Sequence, residues 1–265
     1  MDLGLKDKVV AITGGTSGIG EETAVAFARE GAKVAVCGRS QDKIDAIARR
    51  FHSLGYELYT EAVNVADNHQ LEHFAQAVTE TYGRMDVWIS NAGSTLVKPC
   101  EEVSEEEFYA LVDVDLKSVF FGAGYAAKEM RKTGGGVIIN TSSVTAMIPS
   151  AGRALYGALK SSVVSLTRSL AAELAADHIR VVAIAPGYTV TPLTEDKIAG
   201  RYDWLVSSIA MNRLATPQDM VGGYLYLASD MAGYVDGICL EISGAKFVTQ
   251  NPLWSWERAA AQEKK

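Results

Sequence analysis

Short, continuous apolar runs alternate along this chain with longer segments whose apolar residues recur at helical spacing. The runs at 9–12, 33–37, 57–65, 86–90, 137–141, 180–185 and 238–242 are rich in valine, isoleucine and alanine. Strands buried on both faces of a parallel sheet read in this way, without the in–out alternation of a half-exposed strand. Helix-period segments lie between them, among them 21–30, 42–54, 105–132 and 156–176. Sustained strand–helix alternation predicts one α/β domain over residues 1–250, built on a doubly wound parallel sheet, mostly of seven strands. Residues 251–265, with Trp254 and Trp256, form a C-terminal tail that is either docked or frayed. No internal repeat, low-complexity stretch or interdomain linker interrupts the pattern.

Composition narrows the function classes. A chain of 265 residues suits one domain with a sizeable core, and 48% apolar with 22% charged residues is ordinary for a soluble globular protein. The net charge of −7 argues against a nucleic-acid partner, which would call for a basic patch. No run approaches the length of a membrane span. Residues 1–8 lack the basic start and apolar stretch of a secretory signal, so a cytoplasmic protein is expected. Cys37, Cys100 and Cys239 have no metal-site spacing and fit a reducing compartment. His52, His69, His73 and His178 show no ligand spacing either, and no metal is expected.

Two motifs carry the chemistry. The first strand runs into Thr13-Gly14-Gly15-Thr16-Ser17-Gly18-Ile19-Gly20, which opens the first helix. Glycines there let backbone approach a pyrophosphate, whose charge meets the helix N-terminus. The second motif is Tyr156 with Lys160, a phenol and an ammonium one helical turn apart on one face. A neighbouring cation favours phenolate, so the pair suits proton exchange with a carbonyl/alcohol couple.

Taken together, the motifs resemble those of the short-chain dehydrogenase/reductase family, over nearly the whole chain. The turn matches the family's TGxxxGIG at every fixed position, with Gly14, Thr16, Ser17, Gly18, Ile19 and Gly20 at the cofactor. Asn91-Ala92-Gly93 matches its NAG, Pro186-Gly187 with Thr189 and Thr191 its nicotinamide side, and 213–217 and 227–230 later landmarks. Ser143 stands 13 residues before Tyr156, as in the family. The resemblance implies a Rossmann-type domain and hydride transfer between a nicotinamide cofactor and a ketone or secondary alcohol. It implies that Tyr156 donates or takes the proton, Ser143 polarises the same oxygen, and Lys160 lowers the tyrosine's pKa and holds the nicotinamide ribose.

The cofactor is read from the end of the second strand, Cys37-Gly38-Arg39-Ser40, which has no acidic residue. Arg39 and Ser40 look like a clamp for the 2′-phosphate of NADP; an arginine stacked on adenine would also permit NAD. Asn64 and Val65 stand where the family flanks the adenine. One departure concerns Asp115, at the position of the family's asparagine in the proton relay. An ionised carboxylate accepts hydrogen bonds but cannot donate them, and beside Lys160 it would raise that lysine's pKa.

Residues 188–212 are expected to form a mobile lid over a small-molecule substrate. Thr145, Met147, Tyr188 and Trp204 are candidates for the pocket wall. Arg153, one turn before Tyr156, either meets an anionic group on the substrate or faces solvent or a subunit neighbour. Substrate identity and stereochemistry stay open. A 3-oxoacyl-[acyl-carrier-protein] reductase and a non-catalytic dinucleotide-binding sensor are the alternatives, and the resemblance implies a homotetramer.

Overall fold

The computed structural model describes residues 2–246 and 248–263; positions 1, 247, 264 and 265 of the predicted domain and tail lie outside the described residues. Seven parallel strands form one sheet: β1 (Val9–Thr13), β2 (Lys33–Gly38), β3 (Leu58–Ala62), β4 (Val87–Ser90), β5 (Gly136–Thr141), β6 (Ile179–Pro186) and β7 (Cys239–Ile242). Their order is β3-β2-β1-β4-β5-β6-β7. This is the expected doubly wound architecture, with the order reversing between β1 and β4.

Alternate strand residues face opposite sides, and each side meets helices. Val9, Ala11, Trp88 and Ile138 pack one way, against α3 (Asn68–Tyr82), α5 (Ser118–Arg131) and α6 (Ala154–Leu174) through Phe74, Met130 and Leu170. Val10, Ile12, Ile89 and Ile139 pack the other way, against α1 (Gly18–Arg29), α2 (Gln41–Ser53) and α9 (Pro217–Ala228) through Phe27, Phe51 and Tyr224. Trp88, Phe27, Phe51, Phe74 and Tyr224 are each fully buried, so both layers are closed to water. The sheet is a rigid platform, and its carboxyl edge at the reversal is where a ligand crevice is expected.

Two expectations are corrected. The third strand is shorter than 57–65: its ladder to β2 ends at Ala62, and the chain turns off toward the crevice after Val63 donates to Gly38 O at 2.9 Å. The single helix expected over 105–132 is two, α4 (Glu105–Val112) and α5, joined by a π-helical turn at Asp113–Lys117. An extra residue in the turn changes which side chains face inward, and Asp115 becomes completely buried. The tail forms a helix, α10 (Trp254–Glu263), whose Trp256 Nε1 donates to Ala210 O at 2.8 Å. It is docked at that point, while both Trp254 and Trp256 stay exposed on the single chain. The lid carries two short helices, α7 (Glu195–Ile198) and α8 (Tyr202–Val206), pinned to the body by Leu205, Val206, Ile209 and Leu214.

Candidate active site

A cleft of about 670 Å³ opens at the carboxyl edge of the sheet. One end is built by the glycine turn. Gly14 has a φ of +64°, and a Cβ there would stand 2.8 Å from Ala92 Cα. A Cβ on Gly20 would stand 2.4 Å from Gly14 O and 2.5 Å from Asn91 Nδ2. Only glycine lets the turn fold this tightly against the segment after β4. That segment is laced to it: Asn91 Nδ2 donates to Thr13 O (3.2 Å) and Gly14 O (3.0 Å). Thr13 Oγ1 in turn accepts from the backbone N–H groups of Asn91 and Ala92, both at 3.1 Å. Ser17 precedes α1 with extended backbone and makes no side-chain cap, so the helix's first N–H groups stay open to an anion.

At the same end, Arg39, Ser40 and Lys43 line the cleft together with Gly38 and Thr16. Lys43, in the first turn of α2, belongs to no motif that marks it for the site. Val63 and Val65 also line the cleft. Asn64 between them does not: its N–H donates to Gln70 Oε1 (2.8 Å) and its Oδ1 accepts from Ala66 N–H (3.2 Å).

Ser143, Tyr156 and Lys160 meet at the other end. Ser143 follows β5; its Oγ donates to Thr145 Oγ1 and accepts from Thr145 N–H, both at 3.2 Å. The adjacent Ser142 is committed elsewhere, donating to Lys160 O at 2.8 Å. Tyr156 and Lys160 share a face of α6, with Lys160 Nζ 5.8 Å from the Tyr156 ring centre. Lys160 Nζ donates to Thr141 O at 3.1 Å and pairs with Asp115 Oδ1 at 2.9 Å. That contact is an ion pair set off the line of a well-formed hydrogen bond. The second Asp115 oxygen accepts from Ser94 N–H at 2.9 Å. Burial works against the lysine's charge, but the Asp115 carboxylate and, less, the Tyr156 phenol outweigh it, so the ammonium's pKa is held above its ordinary value. Asp115, expected from the resemblance at the relay beside Lys160, is brought there by the π turn.

Across the cleft, Pro186, Gly187, Thr189 and Thr191 lie where expected, and Pro192, Leu193 and Thr194 join them. Thr194 Oγ1 donates to Thr189 O at 2.6 Å and bonds Thr191 Oγ1 at 3.0 Å, which folds the start of the lid back over the opening. The four residues suggested for the pocket wall, and Arg153 with them, stand apart from the cleft lining. Thr145 is buried behind Ser143, while Met147 is exposed. Trp204 is 60% exposed with the Arg201 guanidinium 4.6 Å above its ring, so the structure does not bring it to the substrate side. Arg153 and Tyr188 lie near one another, with the guanidinium 6.0 Å from the ring centre.

A dinucleotide-sized crevice at a sheet reversal, with a tyrosine–lysine pair at one end, defines a nicotinamide-dependent oxidoreductase site. Comparison with known proteins agrees. Residues 8–201 match the sequence profile of the short chain dehydrogenases. The chain is 35% identical over 240 residues to a 3-oxoacyl-[acyl-carrier-protein] reductase of Thermotoga maritima, covering 91% of this chain and 98% of that one. It is 36% identical over 247 residues to a 3alpha-hydroxysteroid dehydrogenase of Mediterraneibacter gnavus, covering 91% and 97%. Among solved structures, one from Beutenbergia cavernae superposes with a TM-score of 0.89 at 33% identity, covering 94% of this chain and all of that one. That protein is provisionally assigned as an NAD(P)-dependent gluconate 5-dehydrogenase and holds NADP at low occupancy. The chain belongs to the short-chain dehydrogenase/reductase family and is an oxidoreductase of that kind.

The family implies a nicotinamide dinucleotide, and the residues present fit one. The turn is a cradle that any Cβ on Gly14 or Gly20 would fill, α1 presents open N–H groups, and cations stand at the far end.

Proposed function

We propose that the protein interconverts a ketone and a secondary alcohol with NADP(H), using Tyr156 as general acid and base. The observation that carries this reading is the convergence of Ser143, Tyr156 and Lys160 at one end of a cleft whose other end is the glycine turn. Gly14, Thr16 to Gly20, Asn91 to Gly93, Val65, Pro186, Gly187, Thr189 and Thr191 would hold the dinucleotide along that cleft. When bound, the nicotinamide supplies or accepts the hydride.

The protein's part is position and proton. Ser143 Oγ donates to the substrate oxygen, polarising it as a preorganised donor does. Tyr156 gives that oxygen its proton in reduction and takes it back in oxidation. Lys160 keeps positive charge beside the phenol, and Asp115 holds Lys160 in place through the buried pair. The preference for NADP rests on Arg39, Ser40 and Lys43, two cations and a hydroxyl with no acid among them where the adenosine ribose would lie.

Turnover of NADPH and NADH against a panel of ketones tests the reading. Oxidation of NADPH dependent on a ketone, and faster than that of NADH, is expected. Tight NADPH binding with no turnover of any carbonyl would instead support a sensor. The Thermotoga relative favours acyl-carrier substrates as a second reading; residues 101–107 carry five glutamates and would oppose an acidic carrier. Phe108, Tyr109, Phe120 and Phe121 are exposed on α4 and α5, which supports a homotetramer, checked by sedimentation equilibrium. A cytoplasmic enzyme of this kind would work on small, soluble substrates.

A further inference from the structure

Two cations meet one aromatic ring on the lid side of the cleft, and a third lies near one of them. Lys246 Nζ lies 4.5 Å from the Tyr188 ring centre and Arg153 Cζ 6.0 Å from it. Lys246 is only 3% exposed and donates to Ser208 Oγ in the lid. Lys197, on α7, is close enough to Arg153 for the two charges to repel: burial, then Arg153, pulls its pKa down against a smaller opposing pull from Asp196. Neither Arg153 nor Lys197 is ion-paired among the described residues.

Such a grouping is unexpected in a chain with 32 acidic and 25 basic residues. Like charges brought together in half-buried surroundings raise the free energy, and most other basic side chains near a carboxylate here have taken it as partner. Its placement matters as much. Arg153 precedes Tyr156 by one turn, about 4.5 Å along the helix axis. Tyr188 stands between Gly187 and Thr189, and Lys197 follows Thr194 by one turn; Gly187, Thr189 and Thr194 all line the cleft. The cluster thus lies just beyond the cleft lining, where a substrate held at Ser143 and Tyr156 and long enough to pass the lining would meet it.

The geometry points to a receptor for an anionic group of the substrate, formed by Arg153 beside the Tyr188 ring with Lys197 near it, and with Lys246 also against the ring. Arg153 and Lys197, both half-buried, make the direct contacts, and arginine suits a carboxylate through paired N–H donors. Lys246 acts through charge at low dielectric and by fixing the ring. The substrate class is then a ketone bearing a carboxylate, or the matching hydroxy acid. This inference rests on the proposed reading of the cleft as a carbonyl-reducing site.

The test compares keto acids of increasing chain length with their primary amides, which keep the shape and remove the charge, at saturating NADPH. For at least one chain length, kcat/KM for the acid should exceed that for the amide by about tenfold or more, mainly through KM. Arg153→Gln and Lys197→Gln should each pull that ratio toward one, with Arg153→Lys between. These half-exposed positions are chosen because Lys246, buried, is the riskier to replace. Amides reduced as well as acids by the unaltered enzyme would overturn the receptor alone. So would variants that slow acid and amide equally, as a purely structural staple would. No turnover of any ketone would overturn the reductase reading, and the receptor with it.

Discussion

Replacing Asp115 by asparagine removes a charge from the most enclosed point of the site while nearly preserving its shape. The carboxylate accepts from Ser94 N–H at 2.9 Å through one oxygen and pairs with Lys160 Nζ at 2.9 Å through the other. Asparagine offers a single oxygen where two were used, and its amide would turn N–H toward one donor. At an effective dielectric near 20, unit charges 2.9 Å apart attract by about 6 kcal/mol, most of it offset by the cost of burying both. The net loss expected for Asp115→Asn is about 2–4 kcal/mol, since a buried cation keeps its dipole neighbours but not its counter-charge. The sign with pH follows from Lys160. Its folded pKa is raised, so its stabilising share is complete below the unfolded value near 10.4 and is lost as pH rises through the folded value. The stability gap between parent and variant should be full at neutral pH and narrow above about pH 10.5. Urea melts at pH 7 and at pH 11 measure it. Kinetically, a cation 5.8 Å from the Tyr156 ring is worth up to about 3 kcal/mol there at the same dielectric. Without Asp115 that field is less cancelled, so the pH profile of oxidation should differ from the parent's. Equal melts at both pH values, together with superimposable pH profiles, would refute the argument that the pair is electrostatically coupled to the site.

Two further outcomes can be checked. Gly20→Ala puts a Cβ 2.4 Å from a backbone oxygen, so a loss of about 1–3 kcal/mol and failure to bind NADPH are expected in thermal melts and fluorescence titration. Arg39→Ala combined with Lys43→Ala should raise KM for NADPH about tenfold or more while changing that for NADH by only a few-fold, measured by steady-state kinetics with one ketone.

Much of this fold can be read from the chain because buried parallel strands leave continuous apolar runs such as 9–12 and 180–185, bounded by helical periods. The glycine turn, Asn91 and the Tyr156–Lys160 pair are equally legible, since each is a short motif whose chemistry depends on local spacing. The π turn at Asp113–Lys117 is not: one extra residue in a helix barely alters its apolar period, yet it decides that Asp115 faces Lys160. The end of β3 is not legible because Val63 and Val65, beyond the ladder, are buried apolar residues too and continue the run. The cluster at Tyr188 joins residues far apart in the chain, Arg153 and Lys246 among them, and no local pattern encodes such a meeting. Trp204 shows the converse, an aromatic side chain that packs on a neighbouring arginine at the surface.

The central claim is that Tyr156 moves the proton while the rest of the cleft holds the reactants. Tyr156→Phe keeps the ring and removes only the hydroxyl, so NADPH binding by fluorescence titration should stay within about threefold, whereas ketone-dependent NADPH oxidation should fall at least about a hundredfold. A variant that turns over at the parent's rate with its dinucleotide affinity intact would contradict the account.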